Sequence, residues 1–314
     1  MNGYLARRVA ATLAVLWGVS VGVFALIHLV PGDPVRLALG TRYDPATYAA
    51  LRHRAGLDRP LLSQYLHWLG GALHGDLGIS FRSEDPVSSV IGERLPATMS
   101  LALAAIAVAL LIAVPLGLLS ALRPHSAFDR AATVLSQVGI SVPDFWLGIL
   151  AILVLAGSLG WFPAGGYVPL TEDPARWFGH LVLPALTVGV VSGAVLTRFV
   201  RASALEVMSE DHVRTARAKG LPERTILRRH VLRNAAVPVL TVAGIQLAYL
   251  LSGVVVVEIV FSWNGLGQLA LQSVQSRDYP VLQGAVLLFA LVFLVVNLVV
   301  DLLYATLDPR ISLT

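Results

Sequence analysis

The chain has 314 residues, of which 56% are hydrophobic and only 13% are charged. Soluble domains carry roughly 25% charged residues, so a soluble globule of this length could not cover its surface with this composition. The net charge is +4, and a nucleic-acid-binding role would require the basic residues to share one face. The chain has no cysteine, which excludes disulfides, thiolate metal sites and a cysteine nucleophile.

Six long stretches that are almost free of charged residues predict six membrane-spanning helices. A bilayer core about 30 Å thick needs roughly 20 apolar residues in a helix, and a helix satisfies its own backbone hydrogen bonds in lipid. The third stretch contains one charged residue, Asp144. The sequence therefore predicts an all-α membrane protein. The six stretches are 9–32, 95–122, 131–171, 177–197, 234–257 and 279–300.

The basic residues predict how the spans are oriented. If the N-terminus is cytoplasmic, 14 of the 23 basic residues fall on the cytoplasmic side, and the two short outer loops hold only Arg176 and Arg277. This is the positive-inside pattern, and a long first outer loop is largely exempt from it. Because six is an even number of spans, the C-terminus is also predicted to be cytoplasmic.

Two segments outside the spans are too long to be simple connections. The first, 33–94, is a predicted extracytoplasmic insertion, with a helix capped at Asp44-Pro45 and a second helix starting at Pro60. The second, 201–236, is cytoplasmic and carries eight basic and four acidic residues, and Gly220-Leu221-Pro222 divides it into two predicted helices. This segment fits an anchor on anionic lipid, and it also fits a docking element for a cytoplasmic partner.

The chain lacks the residues of an ATP-hydrolysing site. A P-loop needs Gly-Lys followed by Ser or Thr, whereas the only lysine, Lys219, is followed by Gly220. A His-Glu-x-x-His zinc motif is also missing from the sequence. We therefore expect a non-enzymatic chain without a cofactor of its own.

Ionisable residues within the spans are costly and are often functional. Asp144 follows Pro143, which permits a kink, and is predicted to face the bundle interior beside Trp146. A lining role in a translocation path and a hydrogen bond to a neighbouring helix are both open for Asp144. Glu258, near the outer end of the fifth span, is a candidate for the path or its gate and also for a structural anchor.

Several motifs in order along the chain resemble the membrane permease subunits of binding-protein-dependent ABC importers, in the dipeptide, oligopeptide and nickel branch. The strongest are 213–221 (VRTARAKGL), 228–235 (RRHVLRNA), 255–267 (VVVEIVFSWNGLG) and 277–284 (RDYPVLQG). Supporting matches are 30–34 (VPGDP), 75–78 (GDLG), 141–148 (SVPDFWLG), 180–184 (HLVLP) and 308–310 (DPR). Together the motifs cover nearly the whole chain.

The resemblance implies a single transmembrane domain over 1–314, with the insertion at 33–94 and the permease core at 95–310. It implies a second permease subunit, two cytoplasmic ATPase subunits that bind ATP and Mg, and an extracytoplasmic receptor. The expected location is a bacterial inner membrane, where lipid is a further partner. Nucleic acid is not an expected partner. Trp263, Arg277 and Asp278 are expected to face the receptor. The residues expected to couple to the ATPase are Arg214, Thr215, Ala216, Lys219, Gly220, Leu221 and Glu223.

The chain departs from the wider superfamily in one respect. Other members often open the coupling loop with Glu-Ala-Ala, whereas Arg214 or Thr215 stands at the corresponding place here. Di- or oligopeptides are the expected cargo by resemblance, and nickel chelates, glutathione-like peptides and haem-like ligands remain open. A stand-alone secondary transporter is the competing class. Such proteins tend to place several paired charges or broken helices at the midplane, and Asp144 is the one clear midplane charge expected here.

Overall fold

The computed structural model describes residues 2–29 and 32–307. Within these residues the chain is helical and forms no strand beyond one isolated bridge between Ile79 and Pro86. Residues 30–31 of the first supporting motif and the whole 308–310 motif lie outside the described residues. The all-α prediction is confirmed.

Fourteen α-helices follow one another in the described residues. In chain order they are α1 (Asn2–Leu29), α2 (Pro34–Leu39), α3 (Pro45–Arg54), α4 (Leu61–Leu73), α5 (Val87–Leu122), α6 (Ala127–Ser141), α7 (Asp144–Ala151), α8 (Pro174–Ser209), α9 (Asp211–Ala218), α10 (Glu223–Ile226), α11 (Leu232–Gly253), α12 (Val255–Val260), α13 (Leu266–Ser276) and α14 (Tyr279–Leu307). Wider π-type turns extend α7 over Ile152–Ser158 and join α10 to α11 over Leu227–Val231.

Five helical segments among the described residues are long and apolar enough to cross a membrane, and a bent pair makes a sixth if its two arms count as one span. The five lie in α1, α5, α8, α10–α11 and α14, and the bent pair is α6 with α7 and its extension. The predicted third span over 131–171 consists of two helical arms that meet at 98°. The bend lies at Pro143, where a kink was expected.

The break in the third span has a local cause. Val142 precedes a proline and is held in an extended conformation, and Pro143 has no N–H to continue the helix. Asp144 then opens α7, where its carboxylate accepts a hydrogen bond from the Phe145 N–H at 2.7 Å. The side chain of Asp144 lies partly exposed at this break. Its place in the interior of the bundle stays a prediction.

The centre of the molecule is the packing of α5 against α8. Gly117 lies against Val200 and Gly189 against Val108, where an added Cβ would meet the valine Cβ at 2.7 and 2.6 Å. Small residues allow this close approach of two membrane helices. The residue numbers of the contacting pairs increase in the same direction along both helices, so α5 and α8 run parallel. The insertion, which precedes α5, therefore lies at the opposite end of the bundle from α9, which follows α8. We call these ends the insertion side (32–86 and 254–278) and the turn side (123–126 and 210–222).

Both long helices extend beyond the stretches predicted from hydropathy. α5 begins at Val87 instead of residue 95, and α8 runs on to Ser209, inside the predicted segment 201–236. Each has 36 residues, or about 54 Å at 1.5 Å per residue, which exceeds the bilayer core. The added turns pack on neighbouring elements: Val87 joins a buried cluster with Leu266 of α13.

The insertion has a small core and an ion-pair cluster of its own. Asp33 caps α2 by accepting from the Arg36 N–H at 3.0 Å, and it also accepts from the Tyr48 hydroxyl and from Arg52. Burial raises the pKa of Asp33, but these hydrogen bonds and the charge of Arg52 outweigh burial and hold the pKa below its usual value. Asp44 caps α3 through the Thr47 N–H, as predicted.

On the turn side, one buried carboxylate joins three helices. Asp129 of α6 accepts from Arg201 of α8 at 2.6 and 2.8 Å, and from the Ser120 hydroxyl of α5 at 3.0 Å. A paired, two-pronged contact of this kind fixes geometry as well as charge. The tie therefore holds the start of α6 against the two central helices.

Candidate functional site

The short helix α9 on the turn side presents two different faces. Val213 and Ala216 are buried against the main core, while Arg214, Thr215 and Lys219 are exposed. Val213 and Ala216 are three residues apart and therefore share one face of a helix. The helix is anchored by its apolar face and presents its basic face to solvent.

The end of α9 depends on a glycine. Gly220 has φ +76°, a left-handed conformation that L side chains rarely adopt, and its N–H donates to Arg217 O at 2.9 Å. An added Cβ at Gly220 would meet no atom within 4 Å, so backbone conformation alone calls for glycine there. Pro222 follows in an extended conformation and α10 begins at Glu223, which confirms the predicted division into two helices.

An exposed ion pair closes this turn. Arg217 Nε lies 2.7 Å from Glu223 Oε1, on the far side of the glycine, and this hydrogen bond raises the pKa of Arg217. Leu221, between the paired residues, is 39% exposed. Ala216 was expected to contact a partner, but it is buried inside the chain, so we correct its role to an internal anchor.

On the insertion side, Glu258 of α12 lies within a closed polar network. Its side chain is 1% exposed and accepts from the Thr98 hydroxyl at 2.7 Å and from the Gln268 N–H at 2.9 Å. Thr98 in turn accepts from the Leu266 N–H at 2.8 Å. The carboxylate thus caps α13 and joins it to α5. We refer to Thr98, Glu258 and 263–268 as the hinge network.

Two glycines make room for this carboxylate. A Cβ at Gly265 would collide with both Glu258 oxygens, and one at Gly267 would lie 3.0 Å from Oε2. The glycine spacing was visible in the sequence, but Thr98 was missed, since nothing near it in the chain points to a residue 160 positions away. The prediction that Glu258 belongs to a path or gate does not fit its burial, whereas the anchoring alternative does.

The three residues expected to face a receptor are placed differently. Trp263 is fully buried, with its indole N–H donating to Ala97 O at 2.8 Å, and Asp278 is buried, accepting from the Ser80 hydroxyl and the Phe81 N–H. A receptor-facing role is therefore wrong for both. Arg277 is exposed and ends α13 in a left-handed conformation, φ +57°.

No group of three or more His, Asp or Glu side chains lies close enough to hold a metal ion in residues 2–29 and 32–307. The polar contacts described above, such as Arg217–Glu223 on the turn side and Thr98–Glu258 on the insertion side, are contacts between side chains of this chain. The arrangement offers an exposed basic turn at one end and a closed network at the other.

Comparison with known proteins identifies this architecture. Residues 113–313 match the family described as binding-protein-dependent transport system inner membrane component, and residues 1–102 match the N-terminal family of the same membrane components. The chain belongs to this family. It is a multi-pass permease subunit, and the family resemblance found in the sequence is confirmed.

Full-length relatives carry transport names. The permease is 42% identical over 311 residues to a putative peptide transport system permease protein of Brucella abortus, with 99% of each chain covered. It is 40% identical over 335 residues to the dipeptide permease DppB of Escherichia coli K12, again with 99% of each covered. The glutathione permease GsiC of E. coli O6:H1 is 42% identical over 311 residues, also with 99% of each covered.

Solved structures support the fold of the permease. The MetNI methionine ABC transporter matches with a TM-score of 0.58 at 18% identity, covering 70% of this chain and 96% of the other. An amino acid ABC transporter with histidines matches with a TM-score of 0.53 at 16% identity, covering 70% and 94%. At these identities the likeness concerns the fold alone.

Several membrane helices expose large apolar side chains, and the two arms of the third span are among them. The broken third span exposes large side chains on both of its arms, including Trp146 at 48%. Asp144 lies at the corner between the arms. The exposed apolar residues of this face are Val134, Leu135, Val138, Phe145, Trp146 and Ile149.

Proposed function

We propose that the permease forms the membrane path of an ATP-driven importer that takes up peptides delivered by an extracytoplasmic receptor. The observation that carries this proposal is the similarity to permeases named for peptide, dipeptide and glutathione transport, over 99% of this chain. In this proposal, residues 1–314 act as one transmembrane domain, and both chain termini and the turn side are cytoplasmic.

The exposed turn at α9 and α10 is the proposed contact with an ATPase subunit. Leu221 offers an apolar side chain at the tip, and Gly220 lets a partner approach the backbone closely. Arg214, Lys219 and the Arg217–Glu223 pair supply charge around the tip, while Thr215 bonds back to Asp211 O at 2.8 Å. Two such ATPase subunits would bind the ATP and Mg, and their closure would tilt the spans between two states.

A second permease subunit is the proposed partner for the uncovered face of α6 and α7. Exposed apolar patches mark contact with lipid or with another protein, and we assign this one to the second subunit because it flanks the break at Asp144. The path would then run between the two subunits, with Asp144 and Trp146 beside it. Arg277, exposed on the insertion side, is the remaining proposed receptor contact of the three predicted from the sequence.

Reconstitution tests the proposal. The permease is purified with its companion permease and ATPase subunits, placed in liposomes, and supplied with receptor and a radiolabelled dipeptide. We expect uptake that requires ATP, receptor and both permease chains. A parallel assay with radiolabelled glutathione tests the second cargo, which similarity to GsiC favours.

Two results would overturn the proposal. Uptake by the permease alone, without ATPase subunits, would place it among stand-alone transporters. ATP- and receptor-dependent uptake of a nickel chelate or haem, with no uptake of either peptide, would retain the importer and reject the cargo. Empty liposomes and liposomes holding ADP in place of ATP are the controls.

A further inference from the structure

A small cavity lies on the insertion side, away from the uncovered face of α6 and α7. Its volume is about 180 Å³, and its walls come from the end of α1, from α3 and α4, from the segment around 76–81 and from the start of α14. Four aromatic side chains, Phe24, Trp68, Phe81 and Tyr279, contribute to its lining. A cavity of about 150 Å³ can hold a benzene ring, so this one has room for a group the size of one amino-acid residue.

One polar group in the cavity wall lacks a partner. Gln283 is 7% exposed and lines the cavity, and its Nε2 has no hydrogen-bond acceptor among residues 2–29 and 32–307. A buried donor left unpaired costs about 1–3 kcal/mol. A ligand with a carbonyl or carboxylate oxygen would remove that cost.

One cationic side chain of the lining can pair with an anion. Arg54 lines it, and within the described residues no acidic side chain forms an ion pair with Arg54. His28 also lines it, with Nδ1 2.8 Å from Phe24 O and Nε2 3.0 Å from Gln64 Oε1.

A hydrogen bond to the backbone fixes the orientation of the Gln64 amide. Its Nε2 donates to Arg59 O at 2.7 Å, which turns its Oε1 toward the His28 ring. Both ring nitrogens of His28 therefore face oxygen atoms of the protein. Asp76 is the acidic residue in the lining, and its carboxylate already accepts from the Gly78 N–H at 2.9 Å.

We propose that this cavity is a binding site for a small carboxylate that carries one apolar or aromatic group. The ring or alkyl group lies against Phe24, Trp68 and Tyr279, and the carboxylate accepts from Gln283 Nε2 and pairs with Arg54. Such a ligand bridges the insertion and the membrane core, because Arg54 belongs to α3 and Gln283 to α14. The site is separate from the proposed peptide path and from the ATPase contact.

Fluorine NMR on the full importer complex in nanodiscs tests this site, with 3-(4-fluorophenyl)propionate as the probe. We expect saturable binding with a Kd below about 1 mM, the strength of roughly 4 kcal/mol. The neutral probe 3-(4-fluorophenyl)propionamide keeps the oxygen acceptor and loses the charge. It should bind about fivefold or more weakly, since charge-assisted hydrogen bonds are the stronger class.

Variants separate the site from non-specific binding. Gln283→Leu removes the amide at similar size and should weaken the acid about tenfold, the equivalent of roughly 1.4 kcal/mol. Gln272→Leu, the same change on an exposed residue of α13, should leave binding unchanged. Arg54→Gln alters an exposed side chain, so folding is not at risk. It should weaken the acid and leave the amide unaffected.

Three outcomes would overturn the proposal: no saturable binding of the acid, equal binding of acid and amide, or equal binding by wild type, Gln283→Leu and Arg54→Gln. If Gln283→Leu does not yield a folded complex, Arg54→Gln decides alone. ATP-dependent peptide uptake is measured on the same preparations. A complex that transports peptide but does not bind the acid rejects this site and leaves the importer proposal standing.

Discussion

The two ends of the bundle are built in opposite ways. In the hinge network, Glu258 is buried and its partners, Thr98 and the Gln268 N–H, all come from the same chain. At the turn of 210–222, Arg217 and Glu223 pair in solvent and Leu221 is left exposed. The hinge network is complete by itself, whereas the turn presents groups that nothing in the described part of the chain covers.

This difference bears on how each end responds to change. A buried polar network is costly to disrupt, because each group left without a partner retains its full desolvation penalty. An exposed ion pair contributes little to stability, since water and salt compete with it. Changes in the hinge network should therefore act on folding, and changes at the turn should act on transport in a folded protein.

The largest expected effect is on folding, from Glu258→Leu. The change leaves the Gln268 N–H and the Thr98 hydroxyl without their acceptor, at about 1–3 kcal/mol for each unpaired group. We expect the Tm of the purified complex to fall by roughly 5 °C or more. Glu93→Leu, at an exposed position near the same end of α5, should leave the Tm almost unchanged. Equal Tm values for the two variants would refute the role given to the hinge network.

The next effect is on coupling, from Gly220→Asp. The left-handed backbone at φ +76° would cost an L residue roughly 1–2 kcal/mol, and the turn would lose its shape. ATP-dependent uptake should fall about tenfold or more, as expected when a central docking contact is lost, while membrane insertion is retained.

Gly75→Asp is the matched control for Gly220→Asp. Gly75 has φ +83° and also no atom within 4 Å of an added Cβ, but it lies in the insertion. The strain is the same and the location differs. If Gly75→Asp reduces uptake as much as Gly220→Asp does, backbone strain explains the effect and the docking assignment fails.

A smaller effect is expected from the ion pair of the turn. Arg217→Glu or Glu223→Arg alone should change stability by less than about 1 kcal/mol and reduce uptake roughly two- to fivefold by loosening the turn. The double exchange restores the pair and should recover most of the uptake. Arg176→Glu, which disrupts an exposed pair with Asp173 at the start of α8, is the control. Unchanged uptake in both single variants would show that the pair does not shape the contact.

The smallest effect concerns Asp33 and pH. Its folded-state pKa is lowered, so its stabilising contribution is complete above the unfolded value near 4 and is lost as pH falls through the lower folded value. Asp33→Asn should lower the Tm slightly at about pH 5–7. The free energy of unfolding should fall by less than about 1 kcal/mol, because the group is partly exposed. The gap to wild type should close as the pH falls below about 4. Asp85→Asn, exposed in the same insertion, should show no such gap.

Local signals allowed much of this fold to be predicted. The cap at Asp44, the start of α4 after Pro60 and the division at Gly220 follow from residues within one turn of each boundary. Hydropathy located five spans, because membrane burial acts on each helix separately. The extensions of α5 and α8 were missed, since helix outside the bilayer needs no apolar run.

The remaining features depend on contacts between distant residues. Pro143 marks where the third span breaks, but the residues around it do not encode the 98° angle between the two arms. Trp263 was expected at the surface, yet it is buried with its indole N–H bonded to Ala97 O. The Asp129–Arg201 tie joins residues 72 positions apart. Charge and spacing within a single segment do not encode such pairings.

The bent third span also bears on how the protein enters the membrane. α6 has 15 residues, about 22 Å of helix, and α7 with its extension is no longer, so neither arm alone crosses a core of about 30 Å. Each arm is therefore shorter than an independent spanning helix. We expect it to settle only after α8, the later-synthesised helix that holds Asp129 through Arg201, has been released from the insertion machinery. The order of assembly then differs from the order of translation.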